Sequence, residues 1–260
     1  MAEPRISVVI PTFQRPAACA AAVESALAQT LAPLEVLVCD DGSEDETRER
    51  FTEWERRDPR VRYLRIAPNR GTPGPARTAG VRAATGDWIA FLDDDDEFLP
   101  PKLERQLERA AGGDADVIGS NAVRHDGSVY FEDASEERRP VRGDLLRDNP
   151  LVISSVIVRR STMVAAGPFL DRRWARGVAD YEMWLRLADR GARFVVLPDA
   201  LIRYDDSGTG RMSARPVSQE VAVARMAWLR WRSRPSDRAV LRAAIGKTLA
   251  AGRVALERRR

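Results

Sequence analysis

The sequence predicts a mixed α/β domain whose mostly parallel sheet is covered by helices on both faces and followed by a basic helical extension. Three observations carry this. Short apolar runs rich in β-branched residues recur at 6–10, 35–39, 61–66 and 88–92, each followed by a helix-forming stretch; strands alternating with helices at this spacing build parallel sheets. The runs at 6–10 and 35–39 are nearly continuous in apolar residues rather than alternating, as in strands buried on both faces. Charge is also divided along the chain, with 13 basic and 3 acidic residues in 211–260 against 29 and 36 in the rest.

The first run is closed by Pro11, and an Ala-rich helix is expected from Pro16 to about residue 29. The second run stops at Asp40-Asp41-Gly42-Ser43, a turn that leads into a charged helix over 44–57. After the third run, a Gly- and Pro-rich loop over 69–75 leads into a helix through Ala84. The fourth runs into Asp93-Asp94-Asp95-Asp96, and a helix over 101–111 closes this half. Beyond it the reading gives a strand at 116–121, a hairpin-like turn around Gly127 that takes in His125, and an apolar strand over 152–158. In 179–190, Tyr181, Trp184, Leu185 and Ala188 make an i, i+3, i+4, i+7 stripe, which calls for an amphipathic helix stopped by Gly191. A strand at 194–197 and a mobile loop at Gly208-Thr209-Gly210 follow. From Val217 on, one or two helices are interrupted by Pro235.

Composition narrows the classes. A chain of 260 residues with 44% hydrophobic residues can build one large domain. The acidic body argues against a general nucleic-acid binder, while the basic tail asks for an anionic partner. Cys19 and Cys39 have no metal-ligand spacing and read as core residues. No apolar run reaches the length of about 20 residues that spans a bilayer, and the first strand begins by Ile6 without a signal peptide, so a cytoplasmic protein is expected. Trp228, Leu229 and Trp231 lie among Arg225, Arg230, Arg232 and Arg234. Such a segment either docks at the inner face of the cytoplasmic membrane or packs on the body with a solvated basic face.

Ligands of open α/β sheets bind beyond the carboxyl ends of the strands, and the unusual residues lie there. Four adjacent aspartates repel one another unless a cation is present, and Mg²⁺ or Mn²⁺ is typically held by one or two carboxylates and substrate phosphates. The alternative is a solvated loop capping the next helix; a calcium loop would need alternating ligands and a late Glu. Asp40-Asp41-Gly42-Ser43 is a common turn by itself, but at a strand end its carboxylate can accept a pyrimidine N3–H or a ribose hydroxyl. A dinucleotide fold would place a Gly-rich motif after the first strand, where this chain has Pro11-Thr12-Phe13-Gln14-Arg15.

Taken together, the segments resemble the family 2 glycosyltransferases of the GT-A fold over roughly residues 5 to 205. ISVVIPTFQRP looks like that family's first strand and nucleotide loop, and EVLVCDDGSEDET like its second strand with the base-binding aspartate. NRGTPGPARTAG is similar to its Asn-Gly and Ala-Arg-Asn segment, GDWIAFLDDDDEFLPPKLERQ to its D-x-D strand and helix, and GVADYEMWLRLADRG to the segment with the catalytic base. The resemblance implies an inverting transfer of a sugar from a nucleotide diphosphate of UDP or dTDP type to a hydroxyl acceptor, either a glycan, a lipid-linked glycan or a small molecule. It implies that Pro11, Thr12, Phe13 and Arg15 border the nucleotide, with Asp41 at the base edge and Asp40 and Asn69 close by. Arg77 falls near the phosphates and Asp94 on the ribose or sugar side. Asp93 and Asp95 become ligands of a Mn²⁺ or Mg²⁺ cofactor, Asp95 the more direct. Asp180 becomes the general base. Trp184 and Arg186 share its segment, as substrate contacts or as packing and a solvated charge.

Three departures bear on the acceptor side. Thr78 replaces the usual Asn, Ala179 replaces the Glu common before the catalytic aspartate, and a loop histidine is replaced by Arg203-Tyr204-Asp205-Asp206. Ala179 and the missing histidine leave a non-catalytic nucleotide-sugar-binding protein as an alternative, and a nucleotidyltransferase is another, since it shares the nucleotide-binding layout and the metal aspartates. The halves expected are 1–110 for the nucleotide sugar and 111–210 for the acceptor and base, with 211–260 as the tail.

Overall fold

The computed structural model describes residues 4–205 and 216–257. Strands β1 (Ile6–Thr12), β2 (Glu35–Asp40), β3 (Val61–Arg65), β4 (Trp88–Phe91), β5 (Glu97–Phe98), β6 (Val117–Arg124), β7 (Ile157–Arg159) and β8 (Phe194–Tyr204) form one sheet in the order β3-β2-β1-β4-β7-β6-β8-β5. β3, β2, β1 and β4 are parallel, as are β6 and β8, whereas β7 and β5 run against their neighbours. The mostly parallel sheet expected from the apolar runs is present, with two short antiparallel insertions.

Successive strand residues point to opposite faces, and each face has its own core. On one side Ile6, Val8, Ile10, Val36 and Val38 pack with helices α1 (Pro16–Leu27), α2 (Thr47–Arg57) and α4 (Lys102–Ala110). On the other, Val9, Leu37, Cys39 and Phe91 meet α3 (Pro73–Ala83), α5 (Arg142–Arg147), α6 (Arg160–Ala166) and α7 (Ala179–Asp189). Both cysteines are free and fully buried, as core residues should be. α3 sits close to the sheet because Gly80 has no side chain: a Cβ there would come within 2.4 Å of Val9 Cγ1 and 2.9 Å of Cys39 Sγ.

The expected strand over 152–158 is not one strand. Ile153–Ser155 is a 3₁₀ turn and only Ile157–Arg159 pairs in the sheet. The Ser155 hydroxyl donates to the Val152 carbonyl at 2.7 Å, a local bond that competes with the ladder. Gln106 then clamps the turn, its Nε2 donating to the carbonyls of Ser155 (2.8 Å) and Ile118 (2.9 Å). Its Oε1 accepts from Lys102 Nζ, an amine whose complete burial pushes its pKa well down. The strand expected at 194–197 continues to Tyr204, and the turn after β6 forms around Gly127 (φ 83°).

The extension forms two helices, α8 (Pro216–Ser233) and α9 (Arg238–Glu257), broken around Pro235 as expected. α8 packs on the body through Ala222, Val223, Met226 and Ala227, with Trp231 against the same core. The residues that suggested a membrane face are mostly occupied. Arg230 and Arg234 pair with Asp189, and the Arg225 guanidinium lies 4.9 Å from the Trp174 ring centre. Trp228 donates to Thr248 Oγ1 at 2.8 Å. Among the described residues no helix is long and apolar enough to cross a membrane. The loop at Gly208-Thr209-Gly210 lies outside the described residues.

Candidate active site

Parallel register brings the carboxyl ends of β1, β2 and β4 together: Thr12 stands beside Asp40, and the Asp41 N–H donates to the Thr12 carbonyl at 2.9 Å. The four aspartates begin one residue beyond Leu92, which follows β4. Asp94 and Asp95 share Arg15, whereas Asp93 and Asp96 have partners of their own. Asp94 is buried, accepts from Thr12 Oγ1 at 2.7 Å and lies 3.3 Å from Arg15. Its pKa is pushed up to about 6, chiefly by burial and secondarily by Asp95, while the Thr12 bond opposes the rise. Asp95 faces Arg15 at 2.9 Å, and Asp93 faces Arg77 at 2.5 Å.

Asp96, which the sequence reading left out of the ligand set, is 3% exposed. It accepts from Ser154 Oγ at 2.5 Å and from the Asp205 N–H at 3.0 Å. Burial, then the Asp93 charge, pushes its pKa well up. Oxygens of Asp93, Asp95 and Asp96 lie within 4.8 Å of one another. They are the hard donors that Mg²⁺ and Mn²⁺ take, and a divalent ion would relieve the repulsion that raises Asp96, so the residues fit such a cofactor. Ser154 also accepts from the Asp93 N–H at 3.0 Å, so one hydroxyl joins two members of the cluster. No sequence signal marked it, because it stands in an apolar run read as strand.

Asp41 is buried, and its carboxylate accepts the N–H groups of Arg70 and Gly71 at 3.2 Å. Burial raises its pKa against those two bonds. The Asn69 side-chain amide donates through Nδ2 to the Asp41 backbone carbonyl at 2.8 Å. Gly42 (φ 79°) permits this approach, since a Cβ there would stand 3.1 Å from the Asn69 nitrogen. Phe13 is 40% exposed at the mouth, whereas Pro11 is buried within β1.

Three residues expected at or near the site are engaged within the protein. Asp40 is fully buried, bonded to the Ser43 N–H and hydroxyl and to the Tyr63 hydroxyl; these bonds shape the turn. Trp184 is fully buried with its ring 6.4 Å from that of Phe91. It is packing, because an α7 residue on the apolar stripe faces the sheet. Arg186 is likewise structural, donating to the Ala166 and Pro168 carbonyls and pairing with Glu182.

Asp180 opens α7 and is partly exposed. Burial raises its pKa, the charge of Arg77 lowers it, and that of Asp93 raises it again. The aspartate therefore shares one electrostatic neighbourhood with the Arg77–Asp93 pair. Thr78, in the position where Asn was expected, accepts from the Phe169 N–H at 3.0 Å and donates to the Gly74 carbonyl at 2.8 Å. It ties α3 to the segment before α7. Asp205 meets the cluster through its backbone, and Asp206 lies outside the described residues.

Comparison with known proteins places this arrangement. The profile of the family described as Glycosyl transferase family 2 matches residues 7–163. The chain is 32% identical over 129 residues to the GalNAc(5)-diNAcBac-PP-undecaprenol beta-1,3-glucosyltransferase of Campylobacter jejuni, covering 50% of this chain and 42% of that protein. It spans less than half the length of the first curated relatives it matches. Among solved structures, residues 1–349 of Staphylococcus aureus TarS in complex with UDP-GlcNAc superpose with a TM-score of 0.70 at 21% identity, over 86% of this chain and 66% of that one. The mannosyltransferase PcManGT from Pyrobaculum calidifontis, in complex with GDP-Man and Mn²⁺, gives 0.72 at 18% identity, over 99% and 76%. At those identities the superpositions establish a common fold.

Proposed function

The chain belongs to glycosyl transferase family 2, and from that premise we propose that it moves a sugar from a UDP- or dTDP-type donor to an acceptor hydroxyl with inversion at the anomeric carbon. The observation that supports the reading is the acidic cluster beyond β4, where oxygens of Asp93, Asp95 and Asp96 lie within 4.8 Å of one another, with Asp180 in the first turn of α7 within the electrostatic reach of Asp93 and Arg77. In this reading residues 1–110 hold the donor and 111–210 supply the base and the acceptor surface. Asp41 accepts the base N3–H, Phe13 flanks the base, and Asp94 meets the ribose. Arg77 steadies Asp93 and adds positive charge near the departing diphosphate. Asp95, Asp93 and Asp96 would hold Mn²⁺ or Mg²⁺, which neutralises charge on that diphosphate, an effect worth several kcal/mol.

Asp180 takes the acceptor proton as the new bond forms, and one base with direct attack inverts the centre. No second carboxylate is assigned as a covalent nucleophile, which sets the reading apart from a retaining mechanism. The Campylobacter relative's name supports a lipid-linked glycan as acceptor, which would place the reaction at the inner face of the cytoplasmic membrane. The test is transfer from nucleotide sugars with Mn²⁺ present, with the product anomer read by NMR and free diphosphates as competitors. Expected are UDP or dTDP ahead of ADP and GDP, an inverted product, and no turnover after chelation. Retention, a preference for ADP, or donor binding without turnover overturns the reading.

A further inference from the structure

The outer face of α9 is a basic surface to which the proposed reaction gives no role. The inner face is settled by contacts: Val240, Ala244 and Ala251 are buried, and Lys247 lies 6.0 Å from the Tyr181 ring centre. Arg238, Arg242, Ile245, Leu249 and Arg253 follow one another at steps of four, three, four and four, which places them in a single stripe. All five are exposed, Ile245 at 47% and Leu249 at 62%. Around Gly246 and Gly252, a Cβ would have nothing within 4 Å. The face is open.

Its charge is one-sided. Residues 238–253 contain no Asp or Glu, and among the described residues Arg238, Arg242 and Arg253 make no ion pair. The contrast is with α8, whose Arg230 and Arg234 are paired with Asp189. Single exposed apolar residues are ordinary on any protein, but Ile245 and Leu249 lie mid-stripe, one turn apart, with arginines before and after. An arginine stem covers apolar surface while its head stays with phosphate and water, so such a stripe suits the headgroup layer of a membrane. A nucleic acid would meet the arginines and find no use for the Ile and Leu.

We propose that the outer face of α9 docks the protein on an anionic phospholipid surface, with Ile245 and Leu249 entering the headgroup layer and Arg238, Arg242 and Arg253 meeting lipid phosphates. This goes beyond the transfer reaction and does not depend on it, because docking is read without donor or acceptor. If docking holds and transfer fails, only the catalytic reading falls.

The test is cosedimentation of the full chain with phosphatidylglycerol vesicles and with phosphatidylcholine vesicles. Recovery is expected with phosphatidylglycerol alone and should fall at high salt as screening shortens. The combined variant Arg238→Gln, Arg242→Gln, Arg253→Gln should weaken partitioning about 10²-fold, since each basic residue near such a surface contributes about fivefold. Ile245→Ser with Leu249→Ser should weaken it by at least about tenfold, through lost apolar burial. Both variants should keep the parent's melting temperature. Recovery of the triple-arginine variant equal to the parent's, or none of the parent's with phosphatidylglycerol, overturns the proposal. So does tighter binding to duplex DNA than to vesicles, or a dimer in solution that the Ile245→Ser, Leu249→Ser variant abolishes.

Discussion

Two clusters of charge are associated with opposite ends of α7, and their balances are opposite. Near its start, Asp180 feels the charges of Arg77 and Asp93, and Asp93 belongs to the run with Asp94, Asp95 and Asp96 that Arg15 and Arg77 face. At its end, Asp189 is nearly enclosed, with a side chain 4% exposed, and is ringed by Arg142 (2.7 Å), Arg234 (2.9 Å) and Arg230. Glu182 and Asp237 complete that second group, pairing with Arg186 and Arg142. The first cluster has more acids than bases and several carboxyl pKa values raised by burial and like charge; the second has a base for every acid. A charge group that is complete within the protein holds elements together, here α5, α7 and α8. One left with a surplus of carboxylates is a candidate site for a cation or a cationic group.

The largest effect that separates the two concerns Asp180. Asp180→Asn keeps the shape of the side chain in the first turn of α7 but cannot accept a proton at neutral pH. It should fold, bind nucleoside diphosphate and Mn²⁺ as the parent does, and lose transfer by about 10² to 10⁴. Single-turnover assays beside calorimetric UDP binding check this. Near-parental transfer by a folded variant would remove Asp180 from the reaction and move the search to Asp205 and Asp206.

Next in size is the opposite result at the other end. Asp189→Ala strands three arginines, one of them, Arg230, with a side chain only 12% exposed. Breaking a buried pair is costly; with Arg234 half-exposed and able to find water, a loss of about 2 to 3 kcal/mol is expected in urea unfolding. Nucleotide affinity should not move. A variant as stable as the parent, or one that loses UDP binding while folded, would erase the distinction between the clusters.

The sheet edge that gathers Thr12, Asp41 and the four aspartates is legible in the sequence because its signals are local. Strands β1, β2 and β4 are short apolar runs, and the residues that end them fall at one sheet edge by parallel register alone. What the sequence did not reveal depends on where the chain turns back. The 3₁₀ turn at Ile153–Ser155 looks like strand until the Ser155 hydroxyl is seen bonding Val152. Asp40 and Asp41 are neighbours of the same type, and only the fold shows that one bonds Ser43 and Tyr63 while the other faces Arg70 and Gly71. Trp184 shares a segment with Asp180, but helix periodicity turns it to the core. The tail's arginines could have been solvated or paired, and the choice was made by acids far away in the chain, Asp189 above all.

The smallest effect is the most specific to the acidic cluster. Ser154 donates to Asp96 and accepts from the Asp93 N–H, while Gln106 holds the neighbouring Ser155 carbonyl. In Ser154→Ala the turn remains clamped by Gln106, so the fold should survive with little change in melting temperature. Asp96, however, loses a bond that favours its ionised form, and its already raised pKa should rise further. A metal must then displace a proton more often, and outer-shell partners of this kind typically contribute about 10- to 100-fold to metal affinity. Because the Asp205 N–H still faces Asp96, the lower end is expected: Mn²⁺ binding weakened about tenfold, measured by the free-ion EPR signal without donor present. Ser154→Thr, which keeps the hydroxyl, should restore much of the affinity. Unchanged Mn²⁺ binding in Ser154→Ala would show that Asp96 is held in place for structure, and would make the acidic cluster resemble its counterpart at the other end of α7.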